Sequence, residues 1–298
     1  RLSYIKFLRK LIDKEGIDII KIRNDPHLLL SVFFGLKYYS HKKCLPKIVF
    51  QYTWPVHLLP SSSCIDRRIL RFAFQVSNLI LPSSPFLAKN ICNEFNINKE
   101  KVFPLPNGVN PELFNPNAKP IENLRKSDKV LMYVGRIDRI RKLDIILESL
   151  KIVTNHNDID VSIIFVGKGD DINRLRALAN RMNLKERVIF TFGVNYEDIP
   201  RYLSTADTCL SLLPPTLLFK FASPLKLFEY MAMQKPVVAN KEIPEHENAL
   251  RKSNAGILTT YSTKKVADAI VTILSDPSMA KEMGIRGGKW VIKNRNYR

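Results

Sequence analysis

The chain has 298 residues, 45% of them hydrophobic, and carries 47 Lys and Arg against 28 Asp and Glu, a formal net charge of +19. That apolar content excludes a disordered chain, and the length admits two domains. The charge favours an anionic partner, whether nucleic acid, acidic membrane or phosphorylated ligand, but the basic residues are scattered instead of forming the stripe that nucleic acid prefers.

The chain opens in an amphipathic helix with Tyr4, Phe7, Leu8, Leu11 and Ile12 on one face, closed by Gly16. IDIIKI (17–22) follows as a strand. A doubly wound domain rarely opens on a helix, so strands are expected ahead of residue 1, which is Arg and not Met. The closing GGKWVIKNRNYR likewise carries no capping signal. LLLSVFFGL (28–36) is too short to cross a bilayer and fits a core helix. KIVFQY (47–52) is a strand, IDRRILRFAFQVS (65–77) a helix with Ile69, Phe72 and Val76 on one face, and NLILPSS (78–84) a short strand. PFLAKNICNEF (85–95) is a helix begun by Pro85, and VFPLP (102–106) reads as one more strand. This alternation implies a parallel sheet covered on both faces.

The Asn- and Pro-rich segment 107–128 breaks the rhythm and reads as the connection between a first domain, 1–106, and a second, 129–298. In the second, KVLMYVG (129–135), VSIIFVG (161–167), RVIFTFG (187–193), DTCLSLL (207–213), PVVAN (236–240) and AGILTT (255–260) are strands. Between and after them, 143–153, 171–182, 197–206, the stretch from Pro224 up to the PVVAN strand, and 264–276 are helical. Two such domains suggest a ligand cleft outside the carboxyl ends of the strands. Cys44, Cys64, Cys92 and Cys209 form no C-x-x-C pair and have no metal-ligand spacing with the histidines; they read as buried thiols of a cytosolic protein.

Three stretches carry chemistry. In VGRIDRIRK (134–142), Gly135 allows a close turn, and Arg136 and Lys142 at a strand's carboxyl end suit a diphosphate; Arg139 and Arg141 read as solvated charge. VGKGDD (166–171) is not G-x-G-x-x-G, and no P-loop occurs. In SPLKLFEYMA (223–232), Ser223 is a good N-cap and Pro224 a good first helical residue, yet Lys226 puts a cation against the helix dipole. A phosphate on the amides of Leu225 and Lys226 makes that lysine favourable, and Glu229 then accepts from a vicinal diol such as ribose. A surface ion pair between Lys226 and Glu229 explains the same two residues.

Several segments, in order, resemble retaining glycosyltransferases of the GT-B fold, family four. They are PNGVNPELFNP (106–116), YVGRIDRIRK (133–142), 165–214, SPLKLFEYMAMQKPVVAN (223–240), IPEHENAL (243–250) and AGILT (255–259). The resemblance implies an α/β protein of two Rossmann-like domains facing a cleft, with 1–106 as the latter half of the acceptor-side domain and 129–298 as the donor-binding domain. It implies metal-independent transfer of a sugar, with retention, from a nucleotide sugar, UDP- or GDP-linked, and no cofactor beyond that substrate. Arg136 and Lys142 would hold and stabilise the leaving diphosphate, and Leu225 and Lys226 match the phosphate-facing helix start, after Ser223 and Pro224. Glu229 matches the ribose-binding second acid of the family's E-x7-E motif, while Phe192, Gly193 and Val194 lie beside the base and Gly135 beside the donor.

Phe221 stands where that motif's first acid belongs, which opens the alternative of a nucleotide-sugar-binding protein without transfer activity. The family's N-domain histidine has no clear match; His57 in VFQYTWPVH (49–57) reads as an ordinary loop residue. A glycan or lipid-linked acceptor is expected, in surface polysaccharide or glycolipid synthesis. The charge adds a peripheral place at the inner face of an anionic membrane, with the protein in the cytoplasm and no nucleic-acid partner.

Overall fold

The computed structural model describes residues 7, 10–12, 14–39, 45–58, 62–156 and 159–297, and its contacts divide the chain into two units. The first comprises residues 1–107 with 221–223; the second comprises 108–220 and 224–298.

In the first unit, β1 (Ile19–Arg23), β2 (Lys47–Tyr52) and β3 (Leu79–Pro82) form a parallel sheet in the order β1-β2-β3. Each crossover is helical, α1 (Pro26–Tyr39) and then α2 (Cys64–Val76), as parallel pairing demands. α3 (Pro85–Phe95) follows β3. Its cap is Ser84, whose hydroxyl accepts from the Leu87 amide, with Pro85 behind it. The core is Phe50, Tyr52, Phe74, Ile80, Leu87 and Ile91, all fully buried. Of the opening helix's expected apolar face, Ile12 is buried but Phe7 and Leu11 are exposed; Tyr4 and Leu8 lie outside the described residues. The expected strand at 102–106 does not form. Val102 makes one isolated bridge to Ile80, and Phe103 and Leu105 donate to Ile80 O and Pro82 O, but Pro82 has no N–H to complete the ladder in return.

His57 is no ordinary loop residue. It is buried, its Nδ1 lies 2.7 Å from the Tyr52 hydroxyl, and burial lowers its pKa against the pull of Glu94. Cys64 is exposed at the first turn of α2, Cys92 is half-buried and only Cys209 is fully buried, so three buried thiols are not what forms; Cys44 lies outside the described residues.

The second unit is a six-stranded parallel sheet in the order β6-β5-β4-β7-β8-β9. Its strands are β4 (Lys129–Val134), β5 (Val161–Val166), β6 (Val188–Phe190), β7 (Thr208–Ser211), β8 (Val237–Asn240) and β9 (Gly256–Thr259). The helices are α4 (Asp144–His156), α5 (Ile172–Arg181), α6 (Ile199–Thr205), α7 (Leu217–Lys220), α8 (Leu225–Ala232), α9 (Pro244–Ser253), α10 (Thr263–Ser275) and α11 (Pro277–Asn294). β4 and β5 are buried at nearly every position, as strands covered on both faces must be. One core lies on each side of the sheet.

Past α11, Arg295 ion-pairs with the fully buried Glu245 of α9 and lies over the rings of Phe228 and Trp290. The Arg295 carbonyl accepts from the Val109 amide at 2.8 Å. Gly108 is obligatory there, because a Cβ would sit 2.6 Å from that same carbonyl.

Candidate active site

Strand order reverses between β4 and β7, so the connections that leave their carboxyl ends diverge and open a crevice. Two of the loops there are zipped together. Gly135 donates to Val166 O and Ile137 to Lys168 O, and Asp171 donates back to Ile137 O. The approach is so close that a Cβ on Gly167 would stand 1.9 Å from Gly135 O. α8 is tied beneath β4, where the Val134 amide donates to the Tyr230 hydroxyl at 2.7 Å.

This packing puts Lys226 in an unusual place. Its ammonium lies 3.6 Å from the centre of the Tyr133 ring and against Gly135, where a Cβ would be 2.9 Å from Nζ. Gly135 itself has φ +137°, a backbone conformation that favours glycine. Nζ is buried and has no hydrogen-bond partner among the described residues. Burial drives the Lys226 pKa well below the usual lysine range, the Arg141 guanidinium pushes the same way, and Glu229 opposes them. The Tyr133 hydroxyl is pushed up to about 12, chiefly by burial; it donates to Arg136 O at 2.9 Å.

Glu229, one turn along α8, is also buried and accepts from the Tyr196 hydroxyl at 2.8 Å. Burial raises its pKa, against the hydrogen bond from Tyr196 and the charge of Lys226. No ion pair joins Lys226 to Glu229 among the described residues, and Glu229 and the Lys226 Nζ are both buried, which removes the surface-pair explanation. Behind them sits His246, fully buried, with Nδ1 3.2 Å from Asn240 O and Nε2 3.0 Å from Ser211 Oγ. Burial holds its pKa at about 3, so the ring is neutral; Nδ1–H donates to the carbonyl and Nε2 accepts from the serine.

The start of α8 differs from expectation. Helical geometry begins at Leu225, and Pro224 is the N-cap, with no side chain to accept a first-turn amide. Ser223 is not the cap. Its carbonyl accepts from Asn107 Nδ2 at 2.6 Å, and its hydroxyl is buried without a partner among the described residues. The bare amides of Leu225 and Lys226 therefore stay available.

The two cations expected to act together, Arg136 and Lys142, are both exposed. Arg136 is exposed and forks onto Asp138, with Nε 2.6 Å from Oδ2 and Nη2 3.1 Å from Oδ1. Lys142 is exposed and has φ 46°, the left-handed turn that ends the short 139–141 helix. Its carbonyl accepts from Tyr261, on the α4 side of the loop. Arg141, read from sequence as solvated charge, is the residue that turns inward. Its guanidinium lies over the Phe219 ring at 5.5 Å, its Nε is buried without a partner among the described residues, and it acts on both Tyr133 and Lys226. Tyr133, Tyr196 and His246 were equally unmarked in the sequence.

Gly193 has φ +94° and Val194 packs into the core beneath the sheet. Phe192 is exposed, has φ 57° and lies under the Arg176 guanidinium at 5.0 Å. Phe221 packs its ring on the first unit's core and accepts from Ser84 Oγ at 3.1 Å through its carbonyl. Among the described residues no three His, Cys, Asp or Glu side chains cluster as metal ligands would.

Comparison with known proteins adds family and fold. Residues 114–290 match the model of the glycosyl transferases group 1 family. A GDP-mannose-dependent alpha-(1-6)-phosphatidylinositol monomannoside mannosyltransferase of Mycolicibacterium smegmatis is 23% identical over 213 residues, which cover 65% of this chain and 52% of that protein. The chain thus spans about half the length of the curated relatives it matches. Among solved structures, a sucrose-phosphate synthase from Thermosynechococcus elongatus aligns with TM-score 0.78 at 20% identity, covering 99% of this chain and 73% of that one. Anabaena HepE in complex with UDP aligns with TM-score 0.75 at 17% identity, covering 98% and 78%. The fold is GT-B, an α/β architecture of parallel sheets.

Proposed function

The chain belongs to the glycosyl transferases group 1 family, and from that premise we propose that it transfers a sugar, with retention, from a nucleotide sugar to a glycan or lipid-linked acceptor. One observation carries this reading: Lys226 Nζ and Arg141 Nε are buried, lack partners among the described residues, and adjoin the uncapped start of α8. Buried nitrogens without an acceptor are costly, so the arrangement of Lys226 Nζ and Arg141 Nε is intelligible as a seat for an anion that a diphosphate fills. Aimed at phosphate oxygens, they stabilise the charge that grows as the nucleotide departs, without metal assistance. Arg136, swung from Asp138, supplies a third, mobile donor. Glu229 offers its second oxygen to the ribose while Tyr196 holds the first. Gly193 and Val194 flank the base. HepE was solved with UDP and the mycobacterial relative is named for GDP-mannose, which supports a UDP- or GDP-sugar donor. That relative's phosphatidylinositol-based acceptor supports work at a membrane surface on a glycolipid or polysaccharide, from the cytoplasmic side.

The test is nucleotide release from UDP- and GDP-sugars by the purified protein. Arg141→Ala and Lys226→Ala are expected to abolish release and the thermal shift given by UDP or GDP, while Glu229→Ala weakens donor binding and leaves slow turnover. Wild-type rates in the first two variants would overturn the site. Donor binding with no release by the unsubstituted protein, to any acceptor or to water, would favour a binding protein of the same fold.

A further inference from the structure

The first unit exposes a face that donor chemistry does not use. Phe33 and Phe34 of α1 meet Phe72 of α2 in an aromatic cluster: Phe33 and Phe72 have centroids 5.7 Å apart edge to face, and Phe34 stacks on Phe72 at 5.8 Å with planes 14° apart. Phe34 remains 42% exposed. Along α2 from Phe72, the helical repeat adds Ile69 and then Ile65, which is 66% exposed. Three exposed cations border this stripe, Arg68 and Arg71 on α2 and Lys37 on α1, and none is in an ion pair among the described residues. The local acids are already engaged. Asp66 closes the capping box with Ser63, and Glu94 holds Arg67 at 2.6 Å. Basic residues outnumber acidic ones more than two to one across 1–107.

We propose that this α1–α2 face docks the protein on an anionic lipid bilayer, the aromatic and isoleucine side chains entering the headgroup boundary and Arg68, Arg71 and Lys37 meeting lipid phosphates. The proposal deepens the reading of a membrane-surface glycosyltransferase and rests on it. An apolar stripe edged by unpaired cations matches a partner that is anionic outside and apolar beneath. Nucleic acid fits less well, because Phe34 and Phe72 spend a ring face each on one another and so give up part of the platform on which bases stack.

Sedimentation of the full chain with vesicles tests it. Phosphatidylcholine vesicles containing phosphatidylglycerol are expected to carry the protein down, and pure phosphatidylcholine vesicles to leave it in solution. Phe34→Ser with Ile65→Ser, and separately Arg68→Glu with Arg71→Glu, should each weaken binding roughly tenfold or more. The charge-matched control Lys264→Glu with Lys281→Glu, on α10 and α11, should sediment like the unsubstituted protein. A melting midpoint within a few degrees of the parent confirms that each variant is folded. Equal loss in the control would assign binding to net charge and overturn the surface. An unsubstituted protein that binds neither vesicle would overturn the membrane reading with it, and nucleotide release would still judge the transferase reading separately. A dimer that dissociates with Phe34→Ser would give the face to a second copy and likewise overturn the proposal.

Discussion

At the scale of single residues, the site turns on which nitrogen is buried. Lys226 lies against Tyr133 with nothing to accept from it, so in the free protein its charge is disfavoured. The sign of the pH effect follows. The unfolded chain binds a proton that the folded one resists, so free-state stability rises with pH from Lys226's lowered pKa toward the ordinary lysine value of about 10.4. A diphosphate reverses the preference and draws the proton in. At pH values above that lowered pKa, calorimetry in two buffers of different ionisation enthalpy should therefore register proton uptake on binding UDP or GDP, and Lys226→Met should lose it. Tyr133, Arg141, Glu229 and His246 face the same ammonium, and only the difference between parent and Lys226→Met assigns the proton to Lys226. The same variant should melt higher when unliganded, since a desolvated amine is exchanged for a thioether of similar length.

Arg141 and Lys142 give a second contrast. Arg141→Ala should remove turnover while Lys142→Ala leaves most of it, and equal loss in both would show that the exposed side chain reaches the donor. The sequence offered a stretch of cations and no means of ranking them. Lys142 was chosen for its place near the start of the next helix and again on resemblance, but its left-handed backbone is set by the loop as a whole and its side chain is exposed. Glu229 and Lys226 were legible because an acid and a base stood in the wrong order for a helix start. Tyr196 was not, because its value lies in a contact across 33 positions.

At the scale of elements, the start of α8 trades stability for binding. Pro224 caps nothing, and the amides behind it stay open. Pro224→Asp should supply the missing acceptor, worth about 1 kcal/mol to the helix. It should also place a carboxylate where phosphate is expected. The outcome anticipated is a higher melting midpoint with weaker UDP or GDP binding; a higher midpoint with unchanged affinity would detach the helix start from the donor site. The alternation of strands and helices was readable almost throughout, because buried parallel strands are short, apolar and bounded by Gly or Pro. The misreading at 102–106 came from treating an apolar run as a strand although two of its five residues are proline. α9 and α11 are absent from the expected helices; Pro244 and Pro277 open them, where proline's missing N–H costs nothing.

At the scale of the molecule, His246 makes the second unit sensitive to acid. Its pKa of about 3 lies below the ordinary 6.5, so the unfolded chain takes up the proton first. Stability is expected to fall as pH drops below about 6.5 and to level off near 3 as far as this residue is concerned. His246→Gln should flatten that limb in urea titrations between pH 4 and 7, and an unchanged slope would place the acid sensitivity elsewhere. Among the described residues no helix is long and apolar enough to cross a membrane.

The ion pair between Arg295 and Glu245 sets a practical limit on shortening the protein. A chain ended at Asn294 would lose a guanidinium that lies on Phe228 and Trp290, strand the Glu245 carboxylate inside, and free the Val109 amide that now donates to the Arg295 carbonyl. Breaking a buried pair by removing one member costs about 3–5 kcal/mol, much of what holds a typical domain together. Arg295 therefore bears heavily on whether the second unit folds, and any shortened version should keep Arg295 and Asn296.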